Sequence, residues 1–153
     1  MEAKFDTSVK AEMIMHKGCE CAKHDMSVFE ASKLMERDMI GALPVCGPDN
    51  KLMGMVTDRD MVVKCIAKGL DPKECIVKDL CEGPVVWINQ NATAREVLAS
   101  MEEHQIRRLP VLDDNKTLVG IITQADLAKH LGEYAVGELV TAIARRPAVQ
   151  HAK

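Results

Sequence analysis

The sequence predicts an α/β (α+β) fold made of two β-α-β-β-α repeats in a pseudo-twofold pair, with one further helix after the second repeat. Three observations carry this. Residues 27–60 laid over residues 93–126 register at a constant offset of 66 with no gap, and eleven of the 34 paired positions are identical. The identical pairs include Leu43/Leu109, Pro44/Pro110, Val45/Val111, Gly54/Gly120, Thr57/Thr123 and Asp60/Asp126. Each copy then carries the same order of signals, a capped helical stretch followed by two short apolar runs around a turn. Finally, there are two copies and no more, which suits a pair with a cleft between its members and not a solenoid.

The elements follow in order. An apolar run at residues 85–88 (VVWI) predicts a strand, with a weaker counterpart at residues 19–22. Ser27 and Thr93 come next, each with Glu three residues on (Glu30, Glu96), the spacing of a capping box. The helices they start carry Val28, Ala31, Leu34 and Met35 in one copy and Ala94, Val97, Leu98 and Met101 in the other. Those intervals place the apolar residues on one helical face. Strands follow at residues 42–46 and 109–112. Turns (Gly47-Pro48-Asp49-Asn50 and Asp113-Asp114-Asn115-Lys116) lead to strands at residues 52–56 and 118–122. Thr57 and Thr123 then cap second helices, over residues 58–67 and 124–131. A helical crossover makes the first two strands of each copy parallel, and the last two form a hairpin.

Residues 69–77, with Asp71-Pro72, connect the copies. Beyond Gly132 a further helical stretch covers residues 134–144, with a stripe of Val136, Leu139, Val140 and Ile143, and Pro147 ends it. The expected organisation is a first repeat at residues 8–70, a second at 76–132 and a helical tail at 133–153.

Composition narrows the function. The chain has 153 residues, 47% of them apolar, so it can bury a core and is not a disordered segment. Two Phe, one Tyr and one Trp leave little for base stacking, and a net charge of −3 without a basic stretch argues against nucleic acid as a partner. Residues 1–10 are polar, with no apolar core of a signal peptide, and no run is long enough to span a membrane. The expected compartment is the cytoplasm, where the six Cys would be mostly thiols.

The segments ALPV-x6-LMGMVTDRD and RLPV-x6-LVGIITQAD, both present at the repeat offset, resemble the signature of the CBS domain. The likeness covers about residues 10–132. With IGALPVCG, MEEHQIRR and LVGIIT, it is similar to the stand-alone type of tandem pair, or Bateman module, found in mycobacterial hypoxic response proteins. The resemblance implies β-α-β-β-α units facing each other and a homodimer. It also implies a regulatory role, in stress response for that type, exercised through an unidentified partner protein. Many such pairs bind adenosine nucleotides between their copies, and the ligand would favour one angle between them.

Two constellations carry candidate chemistry. In the first, Thr57 and Thr123 stand where a strand passes into a helix, and a helix N-terminus favours phosphate. Asp60 and Asp126, one turn on, suit ribose hydroxyls, and the resemblance assigns phosphate and ribose contacts to these four positions. Arg59 supplies a cation to the first site, although Asp58 beside it repels an anion. Gln124-Ala125 replace Asp58-Arg59 in the second, where Arg107 and Arg108 stand in. The competing reading of Thr-x-x-Asp is a capping box alone, although the usual reach-back residue is Glu or Gln. In the second constellation, His16, Cys19, Cys21 and His24 lie within nine residues and suggest zinc or thiol chemistry. Cys-x-Cys on a strand points to opposite faces, so one thiol at most serves a given site. Cys46 ends the adjacent strand, so Cys21 can meet it as a thiol pair, a disulfide or half a metal site. Cys65, Cys75 and Cys81 show no ligand spacing and read as packing or surface residues.

No nucleophile-base pairing, G-x-S-x-G or phosphate-binding Gly loop is present, so the expectation is a protein that is not an enzyme. Three functions stay open: an adenosine-nucleotide sensor (AMP, ADP, ATP or S-adenosylmethionine), a thiol- or zinc-responsive stress protein, and a ligand-free interaction module.

Overall fold

The computed structural model describes residues 8–145, and within residues 133–145 only the backbone together with the side chains at 137, 140, 141, 144 and 145. The elements are α1 (Ala11–Ile14), β1 (His16–Lys17), β2 (Ala22–Lys23), α2 (Val28–Asp38), β3 (Ala42–Cys46), β4 (Leu52–Thr57), α3 (Asp58–Lys64), β5 (Ile88–Asn89), α4 (Ala94–His104), β6 (Arg108–Leu112), β7 (Leu118–Thr123) and α5 (Gln124–Ala144). Short 3-10 turns at Ile66–Lys68 and Val77–Leu80 lie between α3 and β5. The mixed α/β class and the β-α-β-β-α order of both repeats are as expected.

Local chemistry explains the helices. Ser27 and Thr93 accept from the N–H of Glu30 and Glu96, and each Glu reaches back to the cap's own N–H, closing both boxes. Val28, Ala31 and Met35 of α2 are buried, as are Ala94, Val97 and Met101 of α4. Both helices end on a left-handed residue that is not glycine, Met39 (φ 53°) and Gln105 (φ 53°). The next residues, Ile40 and Ile106, donate back to the carbonyls of Met35 and Met101, satisfying a carbonyl the helix leaves open. α5 breaks at Gly132 (φ 77°, ψ 177°), which separates residues 124–131 from the final helical stretch. Val140 is half exposed; the side chains of Val136, Leu139 and Ile143, and all of Pro147, lie outside the described residues.

The strands form two sheets, ordered β2-β3-β4 and β1-β7-β6-β5. β2 pairs parallel with β3 (Ala22 with Val45) and β5 parallel with β6 (Ile88 with Val111). β3 and β4 form the antiparallel hairpin, with a bulge at Val45/Cys46. The first strand of each repeat is shorter and later than expected. Residues 85–87 are irregular and the strand is Ile88–Asn89; residues 19–21 likewise precede a strand at Ala22–Lys23. Only those residues find ladder partners on β6 and β3, and a strand exists only where it is paired.

The chain forms two compact units, and they do not divide it repeat by repeat. One takes the chain up to Cys19, then Val86–Asn115 and Val119 onward; the other takes Glu20–Val85 with Lys116–Leu118. The segment that leads into each repeat is built into the unit of the other repeat. Ala94 N–H donates to the Val9 carbonyl (2.7 Å), and Val28 N–H donates to the Cys75 carbonyl (2.8 Å). Ala11 N–H donates to Ala92, and Val77 N–H to Met26. Each pair of bonds is related by the same offset of 66. The cores follow suit: Ile14, Met101, Leu109, Ile122 and Leu127 cluster in one unit, and Leu80, Met35, Leu43, Val56 and Met61 at the equivalent positions cluster in the other. β1, which the sequence did not suggest, belongs to this exchange and pairs antiparallel with β7, His16 beside Ile121 and Lys17 beside Gly120.

The exchange explains the repeated glycines. A Cβ on Gly120 would lie 2.6 Å from the His16 carbonyl oxygen and 2.6 Å from Met15 Sδ. A Cβ on Gly54 would lie 2.9 Å from Cys81 Cβ. Met15 and Cys81 are themselves 66 residues apart, so in both units the incoming segment comes closest to the hairpin where a side chain has been left out.

Candidate functional site

Each repeat ends its hairpin in a strand-to-helix turn, and the two turns are built alike. Asp58 N–H donates to the Gly41 carbonyl (2.9 Å) and Gln124 N–H to the Arg107 carbonyl (2.7 Å), which ties each helix start to the head of the neighbouring strand. Thr57 Oγ1 accepts from Asp60 N–H (3.0 Å), while Asp60 Oδ2 accepts from Thr57 N–H (2.9 Å). Thr123 and Asp126 repeat this at 3.2 and 2.8 Å, and Thr123 Oγ1 also donates to Asp126 Oδ2 (2.9 Å). Asp therefore closes these boxes as Glu closes those of α2 and α4.

The second oxygen of each carboxylate is also engaged. Asp60 Oδ1 pairs with Lys64 Nζ at 3.1 Å. Asp126 is only 4% exposed, and its Oδ1 lies 2.8 Å from Nε2 of His16 on β1. Each carboxylate is thus held by a cationic or imidazole side chain as well as by its own helix cap. His16 thus meets a site residue that the sequence did not pair it with, because β1 was not foreseen.

The cations differ between the turns. Arg59, at the second position of α3, is exposed, and its N–H donates to Asp58 Oδ1 at 2.8 Å. At the other turn Arg107 and Arg108 line a shallow pocket of about 320 Å³ together with Thr123, Gln124, Ala125 and Ala128. The two arginines expected to stand in for the missing cation both line this pocket. Ala125 and Ala128 leave space beside the helix start, whose dipole is positive there.

The His/Cys segment is divided between the two compact units. His16 and Cys19 fall in one compact unit, Cys21 and His24 in the other. Cys21 and Cys46 form a disulfide, with Cα atoms 5.9 Å apart. His24 N–H donates to the Cys46 carbonyl (2.9 Å), so its backbone serves the parallel pairing of β2 with β3. Cys19 is a free, half-buried thiol, and burial pushes its pKa up. Among the described residues no group of three or more His, Cys, Asp or Glu side chains is placed to hold a metal ion, and no helix is long and apolar enough to cross a membrane.

Two repeats with this order, these glycines and these strand-helix turns define a class: the chain belongs to the CBS domain family, which matches residues 9–65 and 77–133, and as a tandem pair it is a regulatory module. Hypoxic response protein 1 of Mycobacterium tuberculosis (strain ATCC 25618 / H37Rv) is 44% identical over 133 residues, 87% of this chain and 92% of that protein. The crystal structure of Hypoxic Response Protein I with two coordinated zinc ions is 43% identical with a TM-score of 0.75, covering 80% of this chain and 99% of that one. CBSX2, crystallised in complex with AMP, is 25% identical with a TM-score of 0.67, covering 78% and 93%.

Proposed function

We propose that this protein is a non-catalytic sensor that takes the phosphate of an adenosine nucleotide at the β7–α5 turn and passes its occupancy to a separate partner protein. One observation carries this reading: Arg107, Arg108 and Thr123 converge on one pocket at the start of α5. Cations at a helix N-terminus select an anion, and guanidinium groups suit phosphate oxygens. The AMP complex of CBSX2 supports adenosine as the nucleoside. His16 on Asp126 then acts as the group a ribose displaces. The β4–α3 turn is the weaker site, since Arg59 there shares the helix start with Asp58. A homodimer is part of the same proposal, and light scattering at several concentrations reads it directly.

The test is thermal unfolding with AMP, ADP, ATP and S-adenosylmethionine. A ligand at one hundred times its Kd stabilises by about 2.7 kcal/mol, a rise of several degrees for a chain of this size. The rise should disappear in Arg107→Ala/Arg108→Ala and survive in Arg59→Ala. No shift with any of the four removes the nucleotide reading.

A second reading has its own support. The Cys21–Cys46 bond and the zinc ions of the mycobacterial structure favour a thiol- or zinc-responsive protein. Metal content and free-thiol counts on the isolated protein, with and without reductant, test it. A protein without zinc whose Cys21 and Cys46 stay reduced in air would exclude it.

A further inference from the structure

Cys65 and Cys75 meet inside the unit that holds the first repeat. The Cys65 thiol donates to Cys75 Sγ at 3.0 Å, and nothing in their spacing announces it. Cys65 follows the last turn of α3 and is fully buried, while Cys75 is partly exposed. Both backbones are held. Cys65 N–H donates to the Met61 carbonyl (3.3 Å), and the Cys65 carbonyl accepts from Leu70 N–H (3.1 Å). Cys75 N–H donates to Asp71 (3.0 Å), and the Cys75 carbonyl accepts from Val28 N–H at the start of α2. A disulfide needs sulfurs about 2.05 Å apart, so bonding here asks for a movement of about 1 Å.

The repeat itself shows that packing does not require these thiols. The positions 66 residues away are Val9, for Cys75, and Leu131, for Cys65, and both belong to the apolar core of the other unit. Hydrocarbon side chains stand at both of those positions. In the first repeat both are cysteine, and they meet.

We propose that Cys65 and Cys75 are a redox modification site, oxidised reversibly to a disulfide by a hydroperoxide. Cys75, the more exposed residue of the two, attacks the peroxide O–O bond as thiolate, keeps one oxygen as sulfenic acid and releases hydroxide, which takes up the Cys75 proton to become water. Cys65 then attacks the sulfenic sulfur. The S–S bond forms, the S–O bond breaks, and the departing hydroxide takes the Cys65 proton as a second water. Two thiols lose two electrons and two protons, and hydrogen peroxide is reduced to two waters. A dithiol reductant reverses the change by exchange. The assignment of roles follows from access and from acidity: burial, and then its neighbour Cys75, push the Cys65 thiol up to about 11, so it waits as the resolving group. The site is independent of the nucleotide reading.

The experiment treats the full chain with hydrogen peroxide, alkylates free thiols, digests with trypsin and maps the peptides. Residues 65–68 and 74–78 fall in separate tryptic peptides, so the bond appears as a linked pair lacking both alkyl groups, and it disappears on reduction. In Cys65→Ala, dimedone should trap sulfenic acid at Cys75. In Cys75→Val, which borrows the side chain of the other repeat, Cys65 should survive peroxide as a thiol. Over-oxidised Cys75 beside a free Cys65 in the wild-type chain would overturn the proposal. So would oxidation of Cys65 at the wild-type rate in Cys75→Val.

Discussion

Gly120→Ala is the most direct test of the exchanged architecture. The new Cβ would sit 2.6 Å from the His16 carbonyl oxygen and 2.6 and 2.9 Å from Sδ and Cγ of Met15. Met15 can turn away; the carbonyl cannot. Its residue pairs with Ile121 in the ladder, and its side chain reaches Asp126 at 2.8 Å. Relief therefore means lifting β1 off β7. Overpacking costs ~1–3 kcal/mol, and giving up one ladder bond adds about 1 kcal/mol, so the expected loss is roughly 2–4 kcal/mol. Gly54→Ala meets the side chain of Cys81 instead, at 2.9 and 3.0 Å, and should cost about 1–2 kcal/mol by the same overpacking scale. Urea unfolding followed by far-ultraviolet circular dichroism measures both. Trypsin supplies a second readout, because cleavage after Lys10 and Lys17 should accelerate in Gly120→Ala and not in Gly54→Ala. If Gly120→Ala falls within about 0.5 kcal/mol of wild type, the range of ordinary surface changes, or costs less than Gly54→Ala, the leading segment does not press on β7.

Met39 holds φ at 53° with 89% of its surface exposed, so Met39→Gly should stabilise by ~0.5–1 kcal/mol, the left-handed penalty less the entropy glycine adds to the unfolded chain; an upward shift of the urea midpoint checks it. The Cys21–Cys46 bond spans a sequence separation of 25, and a loop of that length makes Cys21→Ala/Cys46→Ala less stable by ~3 kcal/mol. Wild type with reductant should approach the double variant in the same titration. Burial raises the Cys65 thiol from 9.0 to about 11. Its contribution is present below pH 9.0 and is lost as pH climbs towards 11, because the unfolded chain gives up the proton first. Unfolding midpoints across that window should fall more steeply for wild type than for Cys65→Ala.

Features set by neighbours in sequence were legible, and features set by distant partners were not. Ser27 with Glu30 and Thr93 with Glu96 are contacts three residues apart, and β3 matches its predicted limits because Ala42–Cys46 is apolar throughout and buried at every position. α1 and β1 went unseen because residues 10–17 have no period of their own; Gly120 and the carbonyls of Gln90 and Ala92 organise them. The apolar run at residues 85–88 was misplaced because apolar character alone does not make a strand, and β6 offers partners only to Ile88 and Asn89. At the candidate site, the absence of a cation at Ala125 pointed to Arg107 and Arg108, which line the pocket at that turn. The engagement of Asp126 by His16 was hidden with β1. The meeting of Cys65 with Cys75 was hidden because one stands in an ordinary core position, equivalent to Leu131.

The exchange of leading segments sets an order of events during synthesis. Residues 8–17 dock against residues 88–123, about one hundred residues later in the chain, and at ~5–20 residues per second that interval lasts roughly 5–20 s. Throughout it Val9, Ala11 and Ile14 have no core to enter, whereas residues 20–85 already contain nearly the whole of the other unit. The first described residues to leave the ribosome wait for partners far along the chain.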